Sequence, residues 1–164
     1  FSLKNGVYQI TPLKEPAPNR EWKEYMRAEI PPLFGLEFST AKWNQGYVVD
    51  GDHQFLLVTL NKEGMSQEHQ YEDKFISPTE FQWMSQNRTK RESAPGQRIA
   101  NHKARDSHVH LFIRDRKKTP NGSAAPFTYI GEVNFMSWEG DSPIKVRWKL
   151  NSPIPGSIYS RFAS

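Results

Sequence analysis

Apolar and polar residues alternate with a period of two over much of the chain beyond Gly46, the pattern of strands that bury one face. Val109, Leu111 and Ile113 interleave with His108, His110, Phe112 and Arg114. This predicts a strand with one aliphatic face and one face of imidazoles, an aromatic ring and a guanidinium. Ile144, Val146, Trp148 and Leu150 interleave with Lys145, Arg147 and Lys149, which predicts a strand with a dry face and a cationic one. Such a strand belongs on the outer surface of a sheet or along a basic groove. Residues 54–60 are almost continuously apolar between Asp50-Gly51-Asp52 and Asn61, the pattern of a central strand buried on both faces. Residues 127–138 read as a long strand with Gly131 at a bulge or a close backbone approach. Before it, Asn121-Gly122 and small neighbours predict a hairpin loop over 117–126. Shorter strands are expected at 71–76 and 81–84.

The N-terminal pattern is different. Residues 1–19 contain Pro12, Pro16 and Pro18 and read as an extended arm. Residues 20–27 have helix-favouring composition, and 29–35 suit a second short helix, with Pro31 and Pro32 near its start and Gly35 after its end. The remaining 20–164 segment, without repeats or a long helical period, is expected to form a single mainly β domain with two short N-terminal helices. Many short strands at regular spacing favour a closed or half-closed antiparallel barrel. With apolar residues at 36% but aromatics at 13%, its core is expected to rest on a few large side chains. The chain opens at Phe1, which reads as a domain excised from a larger protein.

Composition removes several chemistries. No apolar stretch approaches the ~20 residues that span a bilayer as a helix, and no secretory leader is visible, so a soluble, cytoplasmic protein is expected. The absence of cysteine removes thiolate nucleophiles and every Cys-ligated metal centre. The glycine-rich phosphate-binding and nucleophile-elbow motifs are also missing.

Charge then narrows the field. Between Gln82 and Lys118 stand ten cations against three acids, while the whole 164-residue chain carries only +4. A field concentrated in one segment suits a polyanionic partner. Within it, Phe81-Gln82-Trp83-Met84-Ser85-Gln86-Asn87-Arg88-Thr89-Lys90-Arg91 gathers amides and guanidinia that can bond two edge atoms of one base, beside hydroxyls and cations that reach phosphate. Gln86, Asn87 and Arg88 are the candidate base contacts. Thr89, Lys90, Arg91, Arg98, Lys103, Arg105, Arg116, Lys117 and Lys118 are the candidate phosphate contacts. Trp43, Phe112 and Tyr129 could form an aromatic cage around one extruded nucleotide.

Two other classes stay open. Asp50 or Asp52 followed by Glu72-Asp73-Lys74 has the spacing of a magnesium-dependent nuclease site, although the same triplet pattern recurs at Glu21-Trp22-Lys23. His108 and His110 share a strand face that two metal ligands could use, without a clear third ligand. No catalytic residue, metal or cofactor is therefore assigned. The second class is a docking module for a nuclease or motor partner, using the Pro-rich arm and Leu33-Phe34.

Five blocks in order, Trp43-Asn44-Gln45-Gly46-Tyr47-Val48-Val49, Tyr71-Glu72-Asp73-Lys74-Phe75, Ser77-Pro78-Thr79-Glu80-Phe81-Gln82-Trp83, His110-Leu111-Phe112-Ile113-Arg114 and Phe127-Thr128-Tyr129-Ile130-Gly131-Glu132, make the chain resemble a bacterial domain of unknown function. That domain is found behind the motor lobes of DEAD/DEAH-type helicases, often with a phospholipase D-like nuclease at the other end. The likeness covers about 30–155. It implies a place in a restriction or phage-defence machine, with double-stranded DNA and the helicase and nuclease domains as partners, and it carries no catalytic residues across. The combined expectation is a mixed or antiparallel pseudo-barrel of the SRA/PUA-like kind that reads duplex DNA or a modified, flipped base.

Overall fold

The computed structural model describes residues 21–61, 73–85, 89–141 and 144–163. Eight strands make one mixed sheet: β1 (Glu24–Tyr25), β2 (Tyr47–Asp50), β3 (His53–Asn61), β4 (Lys74–Ser77), β5 (Glu80–Met84), β6 (His108–Arg116), β7 (Phe127–Glu139) and β8 (Lys145–Leu150). Hydrogen bonding runs β2-β3-β6-β7-β8-β5-β4, with β1 added beside β7. Among the described residues only β3 and β6 run parallel; the other ladders are antiparallel. The mainly β expectation is borne out, but the barrel does not close. Tyr47 of β2 and Trp83 of β5 approach with ring centroids 5.8 Å apart, so side chains touch where no ladder forms.

The patterns along the strands explain the two layers of core. On β3, Leu56 and Val58 pack with Val109, Leu111, Ile113, Val133, Val146 and Trp148. Phe55 and Leu57 turn to the other face, with Ile30, Trp43, Val48, Phe112, Phe127 and Tyr129. The unbroken apolar run in β3 is thus a strand covered on both sides, each large side chain contributing about 1.5–3 kcal/mol by burial. The cationic face of β8 lies on the outer surface, where Lys145 pairs with Glu139 and Arg147 with Glu80.

Short helices close the two layers. A 3-10 turn (Arg27–Glu29) leads into α1 (Ile30–Leu33), and α2 (Thr40–Trp43) follows; their Ile30 and Trp43 enter the outer cluster, with Phe34 packed against it. α3 (Ala94–Ala100) and α4 (Gly156–Ala163) bring Ile99 and Phe162 to the inner one. Ser93 caps α3 by accepting from the Gly96 amide at 3.3 Å.

The helix expected over 20–27 does not form in the described part. Trp22 adopts φ +70°, its N–H donates to Tyr129 O at 2.8 Å, and Glu24 and Tyr25 pair with Thr128 and Phe127. Eight residues are too few to hold a helix on propensity alone, whereas the first half of β7 offers unpaired edge groups that β1 satisfies. The expected bulge at Gly131 is present. Leu111 faces Gly131 and Phe112 faces Tyr129, leaving Ile130 as the extra residue, and Gly131 takes φ +107°. The extended arm at 1–19 lies outside the described residues.

Candidate nucleic-acid interface

Because β3 and β6 run parallel, both deliver their carboxyl ends to the same rim of the sheet, the position where open α/β sheets place their ligand crevices. A cleft of about 1230 Å³ lies there. One wall comes from Leu57, Val58 and Thr59 of β3 and Tyr47 of β2. The opposite wall comes from Asp73, Trp83, Met84 and Ser85, and the last wall from Arg114, Arg116 and the following loop with Lys117 and Lys118. Ser85 is held in place because its N–H donates to Ile144 O while its Oγ accepts from the Ile144 amide.

The loop is folded rather than draped. Lys118 bridges Ala124, the Ala125 N–H donates to Lys117 O, and Gly122 turns with φ +90°. Arg114 fastens its base: Nη1 donates to the carbonyls of Lys117 and Ala125 at 3.5 and 3.3 Å, and Nε donates to Thr59 Oγ1 at 2.8 Å. A single guanidinium therefore fixes where Lys117 and Lys118 leave the strand.

Arg27 reaches the same cleft from the 3-10 turn, with Nη1 donating to Trp43 O at 2.7 Å and Gln45 O at 3.0 Å. Both guanidinia sit over the Phe127 ring, Arg114 at 4.4 Å and Arg27 at 5.2 Å from its centroid. Burial and then the Arg27 charge draw Arg114 down to about 10, and burial lowers Arg27 as well. Among the described residues no carboxylate pairs with Arg27, Arg114, Lys117 or Lys118. Arg116 has Asp115 at 3.7 Å. The only described carboxylate of the lining, Asp73, accepts the Met84 amide at 2.8 Å.

Several expected contacts lie elsewhere. Arg116, Lys117 and Lys118 line the cleft, and Arg98 lies near Tyr47 of its wall. Lys103 and Arg105 occupy the exposed turn before β6, at the other end of that nine-residue strand, roughly 25–30 Å from its cationic end at 3.3 Å per residue. Arg91 is tied to Asp141 through its backbone N–H at 2.7 Å and its guanidinium at 4.0 Å. Thr89 is buried, and Lys90 is exposed with its carbonyl accepting from Ser93. The concentrated charge of the sequence is thus split by β6 into two ends. Gln86, Asn87 and Arg88 lie outside the described residues.

Trp43, Phe112 and Tyr129, the candidate stacking rings, are each 0% exposed. Phe112 and Tyr129 stack on one another at 4.5 Å, and Trp43 packs on Phe55 at 4.8 Å, leaving no ring face open to a base. The histidine face is likewise occupied: His110 contacts His53 at 2.9 Å and Tyr129 Oη at 2.8 Å beneath Phe34, while His108 bonds Glu132. His108 and His110 therefore do not converge on one point. Asp50 pairs with Lys42 at the His53 end of β3, whereas Asp73 lines the cleft with the opposite half of that strand. The two carboxylates are thus roughly 13 Å or more apart along the strand, too far to share an ion. Glu72 lies outside the described residues.

Arg27 and Arg114 were not singled out by sequence. Arg114 was visible only as a guanidinium on the polar face of a strand, and Arg27 only as part of an expected helix. Their meeting depends on β1 docking beside β7, which no local pattern encodes.

The model of one protein family, described as a domain of unknown function (DUF3427), matches residues 21–162. No curated protein matches the chain.

Proposed function

Taking as premise that the chain belongs to this family of unknown function, we propose that it is a DNA-binding domain that holds the polyanion along the cleft at the carboxyl ends of β3 and β6. One observation carries this reading: five cations, Arg27, Arg114, Arg116, Lys117 and Lys118, line a single depression in which Asp73, the one described carboxylate, is already bound to a backbone amide. Excess positive charge in a partly dry crevice, where of these five only Arg116 has a described carboxylate partner, focuses potential outward and attracts counter-ions, and a phosphate backbone supplies them at regular spacing. Lys117 and Lys118, on a loop braced by Arg114, suit phosphates; the amide-rich 81–91 segment, whose Trp83, Met84 and Ser85 form the facing wall, suits base edges. The resemblance of the five sequence blocks to helicase-associated domains supports a setting in a restriction or defence machine, where such a domain selects the DNA that the motor engages.

The test is fluorescence anisotropy of the chain with labelled duplexes, unmodified and base-modified, across a salt series. The expected result is binding whose affinity falls steeply with salt, and replacement of Lys117 by Gln reduces the salt slope by about 1 without altering sequence preference. Absence of binding to every duplex at low salt overturns the reading.

A further inference from the structure

Resting on the reading of the cleft as a polyanion site, we infer that Arg27 and Arg114 together form a dedicated seat for one phosphate group, distinct in construction from the looser loop cations. Arg114 is 8% exposed and fixed by three hydrogen bonds, so its charge cannot swing away from the site. Arg27 is anchored by two carbonyls, one from Trp43 at the end of α2 and one from Gln45 in the α2–β2 connection. The Phe127 ring orders both guanidinia, and their Cζ atoms are no farther apart than the sum of their distances from it.

Each hydrogen bond of Arg27 uses Nη1, and those of Arg114 use Nε and Nη1; the Nη2 donors of both make none among the described residues. Burial, and beyond it the repulsion between two like charges held over one ring without a carboxylate, makes the pair costly, as the fall of Arg114 to about 10 reflects. A phosphate between them removes that repulsion and accepts the spare donors in the forked geometry that guanidinium matches and ammonium does not. The seat also joins two parts of the fold, because Arg27 belongs to the outer layer and Arg114 to the central sheet.

The phosphate could come from a strand end or from an internal phosphodiester, and the experiment separates the two. Thermal unfolding of the chain is followed in inorganic phosphate and in chloride at equal ionic strength. Affinity is measured for duplexes carrying a 5′-phosphate or a 5′-hydroxyl, with wild type, Arg27→Lys and Arg114→Lys. The inference expects phosphate to raise the wild-type midpoint above that in chloride, increasingly with concentration, and the increment to vanish in Arg27→Lys even though the charge is kept. A roughly tenfold preference for the 5′-phosphate duplex, lost in the variants, assigns a terminal phosphate. Equal binding of both duplexes, weakened together by Arg27→Lys, assigns the backbone. If phosphate gives no increment over chloride and Arg27→Lys binds both duplexes like wild type, the seat is refuted while the DNA reading survives on Lys117 and Lys118. If wild type binds neither duplex, the underlying reading has failed instead.

Discussion

Gly131 shows how little freedom a single backbone position can have here. A Cβ at this residue would lie 2.3 Å from Glu21 Oε2, and φ is +107°, a region that L side chains rarely adopt. Gly131→Ala is therefore expected to lose about 1–3 kcal/mol of stability in urea unfolding, and more if Glu21 cannot move aside. An unchanged midpoint would show that the bulge relaxes. His102 sets a second residue-scale constraint. Its Nε2 accepts the Phe135 amide at 3.1 Å, so the proton sits on Nδ1, which donates to Ser107 O at 3.1 Å. Burial pushes His102 below the ordinary value of 6.5, outweighing the bond to Ser107. A histidine depressed in the folded state gives its full stabilisation above that ordinary value and loses it as pH falls through the lower one. Thermal midpoints should therefore drop as the pH falls below about 6.5, and His102→Gln, which keeps a donor and an acceptor, should flatten that dependence. Equal slopes in both proteins would show that His102 does not titrate in this range.

The elements differ in how much of their own pattern carried them. β6 and β8 were legible because strict alternation leaves one register for the buried face, and β3 because a strand covered on both sides has no polar interval. α3 was not legible: Ala94-Pro95-Gly96-Gln97-Arg98-Ile99-Ala100 contains both helix-weakening residues, and its position depends on tertiary partners. Gln54 supplies these, donating from Nε2 to Arg98 O and Ser107 Oγ while Oε1 accepts from Tyr47 Oη. Gln54→Leu should thus cost about 1–3 kcal/mol and speed amide exchange selectively over 94–107. Uniform acceleration would instead assign its role to the whole sheet. The split of the cationic segment has a similar cause. Sequence proximity suggested one patch, but an extended strand carries its two ends far apart, and only the Arg116 end returns to a cleft.

At the scale of the whole molecule, the chain is a mixed sheet curled short of closure, and its site depends on that shape. The rim holds a cleft because β3 and β6 end together, Asp73 and the end of β5 line it from the far side, and the loop after β6 adds Lys117, Lys118 and Thr119. Composition could announce a concentration of cations; it could not say which of them share a cleft, since Arg27 arrives from a segment 87 positions away from Arg114 in sequence. Among the described residues no helix is long and apolar enough to cross a membrane. The most direct measurement is the salt dependence of duplex affinity for two charge-removal variants of equal size: Lys117→Gln with Lys118→Gln in the cleft, and Lys103→Gln with Arg105→Gln at the opposite end of β6. The cleft pair is expected to weaken binding and reduce the salt slope by about 2, and the distal pair to leave both near wild type. The reverse ranking, or equal losses from both pairs, would contradict the placement of DNA at the carboxyl ends of β3 and β6.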